Sequence, residues 1–141
     1  MNTDNWLNYC GIFKEGFARV RNIQEWNFID KKGKFLSSKG FEFCCNFDNG
    51  VAKVGRFGKW NFINGEGNLL SDFWLDYCEW FNDGFCRVEL DGKWNFVDKE
   101  GKLLSETWFS GCYAFDDGFA KVATHGETYY IDKKGGLHEH R

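Results

Sequence analysis

Apolar and polar residues alternate along this chain in short runs. In Phe17-Ala18-Arg19-Val20, Ala18 and Val20 fall on one side of an extended backbone, and Phe17 and Arg19 fall on the other. A second run, Trp26 to Asp30, places Trp and Phe together on one face. A third ends at Phe47. Period-two alternation of β-branched and aromatic residues predicts strands, and no segment carries the helical period. The same three runs then recur. Gly16, Gly50, Gly84 and Gly118 are spaced 34 residues apart and open Gly-Phe-Ala-Arg-Val, Gly-Val-Ala-Lys-Val, Gly-Phe-Cys-Arg-Val and Gly-Phe-Ala-Lys-Val. A period of this size marks an architecture in which each unit buries its apolar face only against its neighbours.

Glycine sets the connections. Phe57-Gly58 and Asp91-Gly92 lead from the first run to the second. Lys31-Lys32-Gly33, Gly65-Glu66-Gly67, Lys99-Glu100-Gly101 and Lys133-Lys134-Gly135 follow the second. Asp30, Asn64, Asp98 and Asp132 precede these turns, as turn chemistry requires. The fourth unit lacks the third run, whereas Trp6 to Phe13 aligns with Trp74 to Phe81. The expectation is an all-β single domain, 1–141, of four 34-residue three-stranded repeats. They span 16–49, 50–83, 84–117, and 118–137 completed by 5–15. The N-terminal strand would complete the last repeat and close a small propeller-like ring; an open β-solenoid with a strand cap is the alternative.

Composition narrows the function more than the fold. Aromatics make up 20% of the 141 residues, with 16 Phe and 7 Trp, and there is no Pro to mark a linker. A net charge of −3 provides no basic stripe for duplex nucleic acid or an anionic membrane. No apolar run approaches a bilayer crossing, and the first residues show neither a basic start nor an apolar core, so the expected location is cytoplasmic. The six cysteines are then expected to be reduced. Cys10, Cys44, Cys78 and Cys112 follow the period and would make a zinc site if they converged. Lacking the close Cys pairs of such sites, they read better as small buried hydrophobes.

Arg19, Lys53, Arg87 and Lys121 place a cation in every unit. In a ring they would form a circle able to hold an anionic small molecule or nucleotide; as a solvated face they would pair with acids such as Glu42 or Asp76. The Trp26, Trp60 and Trp94 column lapses to Thr128, near His125, where a pocket or a simple cap is expected. Trp6, Trp74, Trp80 and Trp108 share a face with the cysteines and would form a partner surface if exposed. No nucleophile, base and acid lie at a readable spacing, and no phosphate loop is present, so neither catalysis nor a cofactor is expected.

The blocks Gly-Lys-Trp-Asn-Phe-Ile (58–63) and Gly-Lys-Trp-Asn-Phe-Val (92–97), with their Gly-Phe-Ala-Lys-Val partners, resemble the bacterial WG-containing, or KWG, repeat over nearly the whole chain. There the Trp is usually followed by Gly, whereas Asn27, Asn61 and Asn95 stand at that position here. The resemblance implies an all-β, propeller-like protein that binds and assembles, without common catalytic residues. A more distant likeness, to choline-binding cell-wall hairpins, implies an aromatic cage for a quaternary ammonium. The expected function is therefore a non-catalytic binding module for a protein partner. Anion capture by the basic column and aromatic-cage binding of choline or carbohydrate are the alternatives.

Overall fold

A computed structural model describes residues 8–141. Thirteen short strands and no helix appear among the described residues, so none is long and apolar enough to cross a membrane as a helix. The chain divides into two compact units, residues 1–74 and 75–141. The first holds the antiparallel sheets β1 (Tyr9–Cys10), β2 (Ala18–Arg21), β3 (Trp26–Ile29) and β4 (Phe43–Cys44), β5 (Val51–Arg56), β6 (Lys59–Asn64), each in that order. The second holds β7 (Tyr77–Cys78), β8 (Phe85–Leu90), β9 (Lys93–Asp98) and the four-stranded sheet β10 (Gly111–Cys112), β11 (Phe119–Thr124), β12 (Glu127–Asp132), β13 (Leu137–His138).

Strand pairing corrects the phase of the repeat. Tyr9 and Cys10 pair with Arg21 and Val20, so the N-terminal strand completes the first sheet and not the last. Residues 5–7, Trp6 among them, lie outside the described residues. The reason is local. Glu15 and Gly16 have φ of 52° and 90°, and the other period-34 glycines have φ of 86°, 88° and 85°. Such positive-φ pairs make tight hairpin turns whose twist suits the strands, and a local hairpin costs less loop entropy than a pairing across the chain. Each sheet therefore starts before its period-34 glycine, and the last one ends with β13.

Within each unit one sheet packs its face on the next. Phe28 of β3 is buried among Cys44, Phe47, Ala52, Val54 and Ile63. Phe96 of β9 is buried in the same way among Cys112, Phe115, Ala120, Val122 and Ile131. Backbone bonds join the sheets as well: Trp26 N–H donates to Phe41 O at 2.7 Å and Phe41 N–H to Trp26 O at 2.8 Å, and Trp94 and Phe109 repeat both distances. At Gly67 and Gly135 a Cβ would stand 2.7 and 2.6 Å from the Leu36 and Leu104 carbonyl oxygens, so only glycine allows this approach.

The acids before the turns act as expected. Asp132 Oδ1 accepts from Lys134 N–H at 2.9 Å and Gly136 N–H at 2.8 Å, and Asp30, Asn64 and Asp98 do the same in their repeats. Asp132 also meets His138 Nε2 at 2.8 Å, which ties β13 to the turn. The His138 bond, then those N–H donors, pull its carboxyl from 3.8 down to about 2. A carboxylate with a depressed folded pKa stabilises above its unfolded value and loses that contribution as pH falls through the folded one. Protection of the Leu137 and His138 amides, measured against their intrinsic exchange, should therefore fall between about pH 4 and pH 2. Asp132→Asn should flatten that profile; an unchanged profile would place the pH dependence elsewhere.

Candidate functional site

The periodic cations do not stand as free charge. Arg19 lies opposite Phe28 in the β2–β3 register, on the face that carries Trp26, and its Cζ lies 5.2 Å from the Trp26 ring centre. Lys53 Nζ is 4.8 Å from the Trp60 ring and Arg87 Cζ is 5.8 Å from that of Trp94. Lys121, which has Thr128 where the others have Trp, lies 5.7 Å from Tyr113 instead. Both arginines also reach the next sheet: Arg19 Nη1 donates to Cys44 O at 3.1 Å and Arg87 Nη1 to Cys112 O at 2.7 Å. A guanidinium spans this gap because its donors form a rigid fork beyond the ring it stacks on. Glu42 and Asp76, the expected acid partners, instead accept the Phe57 and Asp91 N–H groups at the hairpin turns, each at 2.7 Å. Arg87 pairs with Glu79, a residue that the sequence pattern does not single out: Nε donates to Oε2 at 3.0 Å and Nη2 to Oε1.

The Trp faces are likewise engaged. Tyr9, Phe43 and Tyr77 meet Trp26, Trp60 and Trp94 edge-on at 5.6, 5.4 and 5.8 Å. Each indole thus holds an internal cation and an aromatic edge, which is the arrangement a quaternary ammonium would need for itself. Cys44 and Cys112 sit in the two cores, where burial pushes their thiols up to about 12; Cys78 is buried and Cys10 is exposed. No group of three or more potential metal ligands occurs among the described residues. His125 occupies an exposed hairpin turn with φ 52°, and Thr128 pairs with Ala123 on an exposed strand position. Tyr129 packs on the core, and Arg141 Cζ reaches back to 5.9 Å from the Tyr130 ring.

The lapse at Thr128 belongs with a second one beside it. Asn27, Asn61 and Asn95 are buried, and each clasps the loop ten residues on. Asn61 Nδ2 donates to Ser71 O at 3.0 Å, while its Oδ1 accepts from Phe62 N–H at 2.8 Å and Ser71 N–H at 3.2 Å. Tyr129 replaces that Asn in the last repeat, and Glu139 stands ten residues on where the others have Ser37, Ser71 and Ser105. Trp74 packs on the first core and Trp108 is half-buried, whereas Trp80 is exposed.

A profile of the WG-containing repeat matches residues 26–60 and 60–94. Residues 26–94 carry two WG repeats. Each match runs from one Trp of the column to the next, so the WG unit covers β3 of one sheet through the start of the third strand of the next. No curated protein matches the chain. Among solved structures, the chain is similar to KlHsv2 with loop 6CD replaced by a Gly-Ser linker, at 8% identity and a TM-score of 0.47, over 89% of this chain and 49% of that one. It is also similar to Kluyveromyces lactis Hsv2p, at 11% identity and a TM-score of 0.40, over 95% and 51%. The chain spans about half the length of these structures.

The most exposed large apolar side chains include the hairpin tips of the first unit. Ile23 and Phe57, the tips of β2–β3 and β5–β6, are 80% and 81% exposed. Tyr9 and Phe43 are exposed on the neighbouring edge strands, and Asn8, Tyr9, Arg21, Asn22 and Ile23 line a cleft of about 280 Å³. The equivalent tips in the second unit are Asp91 and His125. Phe57 is unusual in its backbone too. Its φ of 54° suits Asn, Asp or Gly and is unfavourable for a bulky side chain.

Proposed function

We propose that this WG-repeat chain is a non-catalytic binding module that takes a protein partner on the hairpin tips of its first unit. The observation that carries the reading is Phe57. Its ring gains no burial and its backbone is strained, and strain that folding does not repay clusters at sites used for binding. Ile23 and the cleft beside Tyr9 and Arg21 supply an apolar centre with a polar rim, as protein interfaces do. Burial holds the Cys44 and Cys112 thiols protonated, so these two are poor nucleophiles. Six free cysteines support a reducing compartment, the cytoplasm.

Phe57→Asn separates binding from folding. Asn tolerates positive φ, so the variant should be more stable than the parent by about 1 kcal/mol in urea denaturation. Together with Ile23→Ser it should lose the proteins that the parent captures from its host. An unchanged captured set with both variants folded would overturn the reading.

A further inference from the structure

The two arginines of the basic column are not equivalent. Gly11 N–H donates to Arg19 O at 2.8 Å, Cys45 N–H to Lys53 O at 2.9 Å, Glu79 N–H to Arg87 O at 3.1 Å and Tyr113 N–H to Lys121 O at 2.9 Å. These four bonds identify one structural position beside each cation. In three repeats it carries a side chain, and beside Arg87 that side chain is the carboxylate of Glu79, which grips both Nε and Nη2. Beside Arg19 it is glycine. The Arg19 Nε is consequently buried with no hydrogen-bond partner, the one such side-chain atom among the described residues. A buried donor left unmade is costly, and a buried donor without a protein partner points to an ion or ligand that completes it.

Two neighbours point to the charge of that ligand. Asn82 lines the cleft around Glu79 and Arg87, and Lys14 occupies its equivalent position in the first unit. Exchanging Glu79 for Gly11 and Asn82 for Lys14 removes one negative charge and adds one positive charge. The Tyr9 hydroxyl lies 3.3 Å from where a Gly11 Cβ would stand, which sets a further donor over the vacated position. We propose that Arg19 binds an external carboxylate in the place that Glu79 fills in the second unit, with a two-bond fork on Nε and Nη2 and the Tyr9 phenol turning to admit it. The carboxylate is a small free acid or a glutamate side chain of a peptide, since the internal counterpart is itself a glutamate. This site shares Tyr9 with the cleft beside the hairpin tips but needs neither Ile23 nor Phe57.

The Arg19 Nε–H and Gly11 N–H resonances report the site directly in titrations with succinate and with a blocked glutamate tripeptide, each against sodium chloride at equal ionic strength. Both resonances should shift saturably with at least one carboxylate; the arm with the tighter midpoint identifies the source. Gly11→Glu should abolish the shift by supplying the missing carboxylate in cis. Glu79→Ala should open a second site, read as a new response at the Arg87 Nε–H. If Gly11→Glu does not fold, Arg19→Lys decides: charge without the fork should weaken binding at least fivefold at the Gly11 N–H. Resonances that follow chloride equally, or a shift retained in Gly11→Glu, would overturn the proposal. Loss of partner capture by the Phe57 variant would leave these titrations unchanged, so the two readings fail separately.

Discussion

Truncating Phe96 to Ala is expected to destabilise the protein by about 3–5 kcal/mol, the range for a large aromatic removed from a close-packed core. Phe96 is 1% exposed and meets Phe115 edge-on at 4.8 Å. Its position explains the size of the effect. The ring belongs to β9 but is buried against residues of the next sheet, Ala120, Val122 and Ile131, so the cavity opens at the joint between two sheets that each lack a core of their own. Urea denaturation should show the loss as a lowered midpoint. A cost below about 1.5 kcal/mol would mean that the site collapses around the missing ring and that the joint is looser than its packing indicates.

Asn61→Ala is expected to cost about 2–4 kcal/mol, although it removes only one small side chain. Asn61 is 1% exposed and accepts or donates three bonds to the backbone of Phe62 and Ser71. Alanine would leave those groups unpaired, each at about 1–3 kcal/mol before the loop relaxes toward water. The Ser71 amide should exchange faster than the strand amides around it, a local signature that core truncation would not produce. The exposed Asn68→Ala, by contrast, should stay within about 0.5 kcal/mol. Equal stabilities of the two variants would show that the clasp is ornamental.

Several features were readable from residue order because they depend on local chemistry. The strand runs around Phe17, Trp26 and their equivalents follow from period-two alternation, and the Asp30 column follows from the capacity of Asp and Asn to cap their own turn. The phase of the sheets was not readable this way. Trp6 to Phe13 aligns with a third run, and alignment alone does not say which neighbour that run pairs with; the positive φ at Glu15 and Gly16 decides it. The Asn27 column looked like a departure from the WG pattern, yet a signal was present: Asn27, Asn61 and Asn95 each have a Ser ten residues on, and the two lapse together at Tyr129 and Glu139. Glu79 left no such trace, because its role depends on a side chain folding back over Arg87 from the adjacent strand.

Sequence by itself determined that this protein is a four-fold β repeat with turns at set places, since strand period and turn propensity are properties of a few consecutive residues. Only the tertiary structure decided what the periodic residues do. A cation in every repeat could have been a circle of open charge, but Arg19, Lys53 and Arg87 stack on Trp26, Trp60 and Trp94, and the two arginines also bond to the next sheet's carbonyls, while Lys121 stays exposed beside Tyr113. Whether a charge is free or held depends on the groups brought against it from distant parts of the chain, and the repeat period holds no record of that distance.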